Sequence, residues 1–267
     1  MGRPNDLVCE HIAQARDAIC DALGPANDRF QLVHGFLSLL DQRATAALQD
    51  RAHFRQFNET HNEACVAVEL LKGPTVARIN YEPKVNTSAK RLDFSVELRD
   101  GQQAWVEVKT INPTDQDDWV KYEGAREEGR FPGNVELILV ERMMGGEIYH
   151  DHYAGRTKIL EHVVETEARL AECKVDSKVT PCTLAIAVNP LKLPEDALED
   201  FVYFYQTGKH SSWDEFRDME AHAITAKQIQ LQRSISKFAY IGRATYEIWP
   251  RKVNWNVRFP TSWIVES

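Results

Sequence analysis

RLDFSVELRDGQQAWVEVKTI, residues 91–111, holds two alternating segments separated by a turn. Side chains alternate along an extended chain, so Leu92, Phe94, Val96 and Leu98 point one way and Asp93, Ser95 and Glu97 the other. Ala104, Val106 and Val108 likewise oppose Trp105, Glu107 and Lys109. Arg99-Asp100-Gly101 between the two segments is a hairpin signal. A two-residue turn at Asp100-Gly101 would pair Asp93 with Val108 and set an apolar row beside a polar one. A three-residue loop with Gly101 in the left-handed region pairs Leu98 with Gln102, and therefore Asp93 with Glu107. Only that register gathers both apolar rows on one side, and it is the register expected.

Two carboxylates then face each other with Cβ atoms about 4.5 to 5.5 Å apart. Their repulsion, at an effective dielectric near 20, is roughly 3 kcal/mol before screening. A divalent cation, Mg²⁺ or Mn²⁺, would offset it, because hard ions bind through one or two carboxylates with water and substrate phosphate. Lys109, two residues from Glu107 on the same face, adds a positive charge. Such a charge orients an attacking water and stabilises charge developing on phosphorus.

Around this hairpin the pattern reads as α/β. Val8, Ile12, Ala15, Ile19 and Leu23 recur at helical spacing up to Gly24-Pro25. A second helical stripe follows in Phe30, Val33, Phe36, Leu37 and Leu40, with further helix to about residue 54. Ala64, Ala67, Val68 and Leu71 mark another helix ending at Gly73-Pro74. Residues 76–82, 91–98 and 104–111 read as strands, 116–128 as a helix and 135–140 as a buried strand. Beyond Gly145-Gly146 a helix is expected near residues 157–173, a buried strand at 183–188, an acidic helical region after Pro194 and a strand-like end rich in tryptophan. The division expected is an N-terminal helical extension at 1–56, a core at 57–145, and a C-terminal α/β continuation at 146–267 packed on that core.

Arg91-Leu92-Asp93-Phe94, followed by Trp105-Val106-Glu107-Val108-Lys109 within the order helix, three strands, helix, strand, resembles the PD-(D/E)XK or restriction-endonuclease-like superfamily. The resemblance covers residues 58–140. Its first half-motif departs from the pattern, since Leu92 stands where proline is most recognisable. The resemblance implies a mixed central sheet flanked by helices and a divalent-metal-dependent nuclease hydrolysing nucleic-acid phosphodiester bonds, with DNA favoured over RNA. Asp93 and Glu107 would hold the metal and Lys109 would stabilise charge. An acidic residue on the preceding helix would assist, for which Glu63 fits best and Glu59 and Glu69 less well. The alternative is a non-catalytic member of the same fold that binds nucleic acid or protein, as part of a defence or repair assembly or as a homodimer.

Composition narrows the remaining classes. A net charge of -8 argues against coating nucleic acid through overall charge, because phosphate binding runs on clustered Lys and Arg. Charge is uneven, however. Residues 195–220 are strongly acidic, while residues 225–259 carry Lys227, Arg233, Lys237, Arg243, Arg251, Lys252 and Arg258 against the one acid Glu247. Arg233, Lys237 and Arg251 there, with Lys84, Lys90 and Arg91 beside Asp93, are the candidate phosphate contacts. Trp249, Trp255 and Trp263 suit stacking or core packing.

The five cysteines are scattered and form no C-x-x-C pair, which suits reduced thiols in a cytoplasmic protein. No apolar run approaches the roughly 20 residues a membrane span needs, and the first ten residues lack the order of a signal peptide. His150-Asp151-His152 near Glu147 reads as a hydrophilic connection rather than a second metal site. Gln116 and Tyr122 read as helix surface. No phosphate-binding G-x-x-x-x-G-K-[ST] loop or G-x-S-x-G elbow occurs.

Overall fold

The hairpin forms with the three-residue loop. In the computed structural model, β3 (Phe94–Leu98) and β4 (Gln103–Thr110) pair antiparallel, with Phe94 against Val106 and Val96 against Ala104. Leu98 N donates to Gln102 O at 2.8 Å and Gly101 N to Leu98 O at 2.9 Å. Gly101 takes φ 85°, and Asp100 Oδ1 accepts from Gln102 N at 3.0 Å. The register set by these bonds is the one that brings Asp93 opposite Glu107.

The structure describes residues 4–26, 28–85, 91–111, 148–187, 201, 202, 205, 231–243 and 255–258. The expected helix at 116–128 and strand at 135–140 lie outside them, as do Gln116, Tyr122, Glu147, Trp249 and Trp263.

Two helices come first, α1 (Pro4–Leu23) and α2 (Val33–Gln49), followed by α3 (Phe54–Lys72) and β2 (Val76–Tyr81). Phe30 departs from the expected helix. It lies in a two-residue strand, β1 (Phe30–Gln31), parallel to β2, and α2 starts only after Leu32 at φ 69°. Spacing alone could not separate these outcomes, because Phe30, Val33, Phe36 and Leu40 fall on one buried side whether or not the chain breaks at Leu32.

Beyond the hairpin come α4 (Ile148–Glu172), β5 (Cys182–Ala187), β6 (Lys237–Arg243) and β7 (Trp255–Arg258). α4 begins well before residue 157, so His150, Asp151 and His152 lie within a helix and not in a connection. The seven described strands join one mixed sheet in chain order. β2, β3 and β4 form an antiparallel meander, β4, β5 and β6 run parallel, and β7 returns antiparallel.

Helices cover both faces. On one side Ile12, Ile19, Phe36, Leu40 and Ala64 of α1 to α3 pack with Phe94, Val96, Val106, Val108, Ala185 and Ala187. On the other, Ile159, Leu160, Val163 and Leu170 of α4 pack with Leu184, Ile186 and Phe238. β5 is therefore apolar on both sides, as a buried parallel strand must be. Residues 1–56 share a continuous apolar cluster with the sheet. Among the described residues no helix is long and apolar enough to cross a membrane.

Gly101 is the one described glycine with positive φ, and a Cβ there would meet nothing within 4 Å. Gly101→Ala should therefore cost only the left-handed conformation, about 1 kcal/mol in chemical denaturation, and Gly101→Asn less. Equal stability of all three proteins would mean that the loop does not hold the register.

Candidate metal and phosphate site

Leu98 and Gln102 form a hydrogen-bonded pair, so by antiparallel alternation 96 with 104 and 94 with 106 do too, and Leu92 with Val108 would come next. That rung is missing. Val108 N donates instead to Asp93 Oδ2 at 2.6 Å. Asp93 O still accepts from Glu82 N, at 2.8 Å, so the chain stays with β2 while it parts from β4. Leu92 was expected on the side of Phe94, but it is buried in the cluster beneath α4, on the opposite face. The backbone turns out of the strand there, and in the resulting fork the Asp93 carboxyl lies close enough to Glu107 to be raised by its charge. Asp93 N donates to Glu107 Oε2 at 3.3 Å.

Glu107 lies opposite Leu184 and Lys109 opposite Ile186, so both face the α4 side. Glu107 has no solvent exposure, and a buried carboxylate needs a counter-charge. Lys109 Nζ stands 3.0 Å from Glu107 Oε1. The same oxygen accepts from Arg169 Nη1 on α4, which also reaches Arg91 O at 3.5 Å. Sequence reasoning missed Arg169. It flanks the buried stripe Val163, Thr166, Glu167 and Leu170, but nothing local says which strand lies beneath it.

Burial raises the Asp93 carboxyl well above the usual range; repulsion from Glu107 and Glu63 adds to this, while the Val108 N–H and Lys109 oppose it. The Cys182 thiol is raised by burial first and then by Glu107 and Asp93. Glu63, on α3, accepts a 3.0 Å bond from Tyr81 OH, and burial pushes its carboxyl up to about 7. Tyr81 and Phe94 are partners in the sheet and pack against Phe36 on the α1 to α3 side. Glu63 thus approaches Asp93 from the face away from Arg169. Glu59 and Glu69 are in ion pairs with Arg55 and Lys72 at 3.1 and 2.9 Å.

Of the candidate phosphate contacts, Lys84 and Arg91 are exposed, bridged to each other through the backbone, and Arg91 lies 3.5 Å from Glu82. Arg233 is exposed at φ 56° in the segment before β6, and Lys237 is the exposed first residue of β6. Lys90 and Arg251 lie outside the described residues.

Glu167 is a second buried carboxylate with a different role. It accepts from Tyr205 OH at 2.5 Å, Gln232 N at 2.8 Å and Ser234 N at 3.1 Å, and so clasps the chain on either side of Arg233.

The site residues offer hard oxygen donors. Asp93 and Glu107 fit a small divalent cation that completes its shell with water and phosphate. Among the described residues no three His, Cys, Asp or Glu converge as a metal cluster. Comparison of the chain with protein-family models, with curated proteins and with solved structures returns no match.

Glu63 gives this site a pH signature. Its ordinary value is 4.5 and its folded value about 7, so between these the folded state holds the proton more tightly than the unfolded chain. Stability contributed by the protonated carboxyl is complete below about pH 4.5 and is lost as pH rises through 7. Asp93, shifted the same way, adds to the decline. Glu63→Gln should flatten it by about 3 kcal/mol between pH 4.5 and 8 in chemical denaturation. Parallel curves for the two proteins would assign the decline to other groups.

Proposed function

We propose that the chain is a Mg²⁺- or Mn²⁺-dependent nuclease with a restriction-endonuclease-like core, hydrolysing nucleic-acid phosphodiester bonds, with DNA favoured over RNA. The observation that carries this reading is the fork: Asp93 and Glu107 meet where β3 leaves β4, with Lys109 against Glu107. The run α3, β2, β3, β4 supports it, being the helix and three strands that open the expected order. The helix and strand expected at 116–128 and 135–140 lie outside the described residues, and beyond them β5 lies parallel beside β4.

Asp93 and Glu107 would hold the cation. A bound cation supplies Lewis-acid polarisation of the phosphate and a more acidic water. Lys109, 14% exposed and fixed on β4, holds its ammonium where it can orient that water and face a developing negative charge. Glu63 is an accessory acid, kept near neutrality by burial and bonded to Tyr81. Arg233 is exposed at the entry to β6 and Lys84 and Arg91 are exposed beside Asp93, which leaves these three as the candidate phosphate contacts, whereas Lys237, in register with Thr183 and Val106, faces the side of the sheet away from Glu107.

One observation favours a second reading, a non-catalytic member that binds nucleic acid or protein: Glu107 already has two cationic partners. Ion binding separates the two readings.

Purified protein incubated with single- and double-stranded DNA and RNA should cleave at least one form with Mg²⁺ or Mn²⁺ and none with chelator. Asp93→Asn should abolish this cleavage while leaving ion-free thermal stability unchanged or raised, because it removes a repelled carboxylate and keeps an oxygen for Val108 N. Lys109→Met should lose cleavage by 100-fold or more, roughly the worth of a single charge-stabilising donor, yet still bind Mn²⁺. Cleavage per folded molecule that survives in Asp93→Asn would make Asp93 structural, and failure of the wild type to cleave any of the four substrates with either ion would end the nuclease reading.

A further inference from the structure

Glu107 Oε1 is shared by two cations that differ in how they are held. Lys109 lies on the same strand as Glu107, two residues away, with its side chain 14% exposed. Arg169 reaches in from a separate layer, α4, and its side chain is 28% exposed above a carboxylate with none. Its second bond, to Arg91 O at 3.5 Å, is at the limit of a hydrogen bond. Arg169 therefore stands on the solvent side of Glu107, weakly tied elsewhere and with water to move into.

We propose that Arg169 is a built-in competitor of the divalent cation, neutralising Glu107 in the ion-free protein and yielding Oε1 when the ion binds. The inference rests on the function proposed above and adds a regulation of the same site. A divalent ion added to Lys109 and Arg169 would set four positive charges against the two negative charges of Asp93 and Glu107. One cation must give way. Lys109 is the more deeply buried of the two cations, so Arg169, on the solvent side, is the one to leave. Its long side chain and permanent charge let it serve as counter-ion at any pH and swing out without moving the helix. Because coupling between two binding events is reciprocal, whatever holds Arg169 on Glu107 weakens the ion by the same factor.

The test is Mn²⁺ binding to folded, chelator-treated protein, followed by calorimetry and by the paramagnetic resonance signal of free Mn²⁺. Arg169→Gln and Arg169→Met remove the competing charge and should bind Mn²⁺ about tenfold tighter or more, a coupling of ordinary size, whereas Arg169→Lys should stay near the wild type. If the wild type binds Mn²⁺ and the neutral variants bind it no tighter, Arg169 is a plain tie between α4 and β4 and the inference falls alone. If neither the wild type nor the neutral variants bind Mn²⁺, the proposed function falls with it. Should a neutral variant be unfolded in chelator, Mn²⁺ should restore its circular dichroism, since the ion takes over the role of Arg169. Failure of Mn²⁺ to do so would overturn the proposal.

Discussion

A carboxylate with no exposure in the middle of a sheet strand constrains everything around it. Glu107 cannot be buried as a bare ion, because the effective cost of desolvating a charge is several kcal/mol. Neighbouring strands can supply little relief: β5 opposite is apolar on that face, with Leu184 as the partner residue. Positive charge has to come from Lys109 along the strand and from a helix laid across it. The docking of α4 is thus both apolar, through Val163 and Leu170, and ionic, through Arg169. Asp93 adds a second constraint. Its carboxylate takes the Val108 N–H that a continued ladder would have used, so the break between β3 and β4 is satisfied rather than left open.

The same break explains why acids gather there. Once β3 leaves β4, two strand faces become reachable from one point, and Glu63 on the α3 side comes near Asp93 although α3 and α4 lie on opposite faces of the sheet. Burial keeps both Glu63 and Asp93 protonated more readily than free carboxyls, and repulsion from Glu107 and Glu63 adds to the shift of Asp93. A structure selected only for stability would gain by replacing such a pair with apolar groups. Strongly shifted groups brought together at a strand end are what a chemical site requires, and this is the physical weight behind the functional reading.

How much of this was legible in the sequence follows from which forces are local. Hairpin register was readable because alternation and the Arg99-Asp100-Gly101 loop leave one solution that keeps the apolar rows together, and the buried stripes of α1, α2 and α3 were readable from their spacing. Phe30 was misread because its burial is the same in a helix and in an edge strand, and only the left-handed Leu32 and the pairing with Ile79 decide. Leu92 was misread because alternation assumes that the strand continues past Asp93, and the carboxylate is what stops it. Arg169 left no local trace. Its meaning depends on α4 crossing β4, a contact between residues 62 positions apart.

Glu107 and Glu167 show two different ways in which a buried carboxylate is satisfied. Both are almost wholly buried. Glu167 is met by neutral donors, one hydroxyl and two backbone N–H groups, which are fixed by the fold and occupy both its oxygens. Neutral donors satisfy a carboxylate without offering it anything to exchange, so Glu167 works as a clasp, and it holds the segment bearing Arg233 in one conformation. Glu107 is met by charged side chains that keep partial contact with water, while its second oxygen makes only the longer bond to Asp93 N. Charged, partly hydrated partners can be traded for another cation at modest cost, because each regains its solvation on leaving. The kind of donor, more than the depth of burial, therefore separates a carboxylate that holds the fold from one that can take part in chemistry.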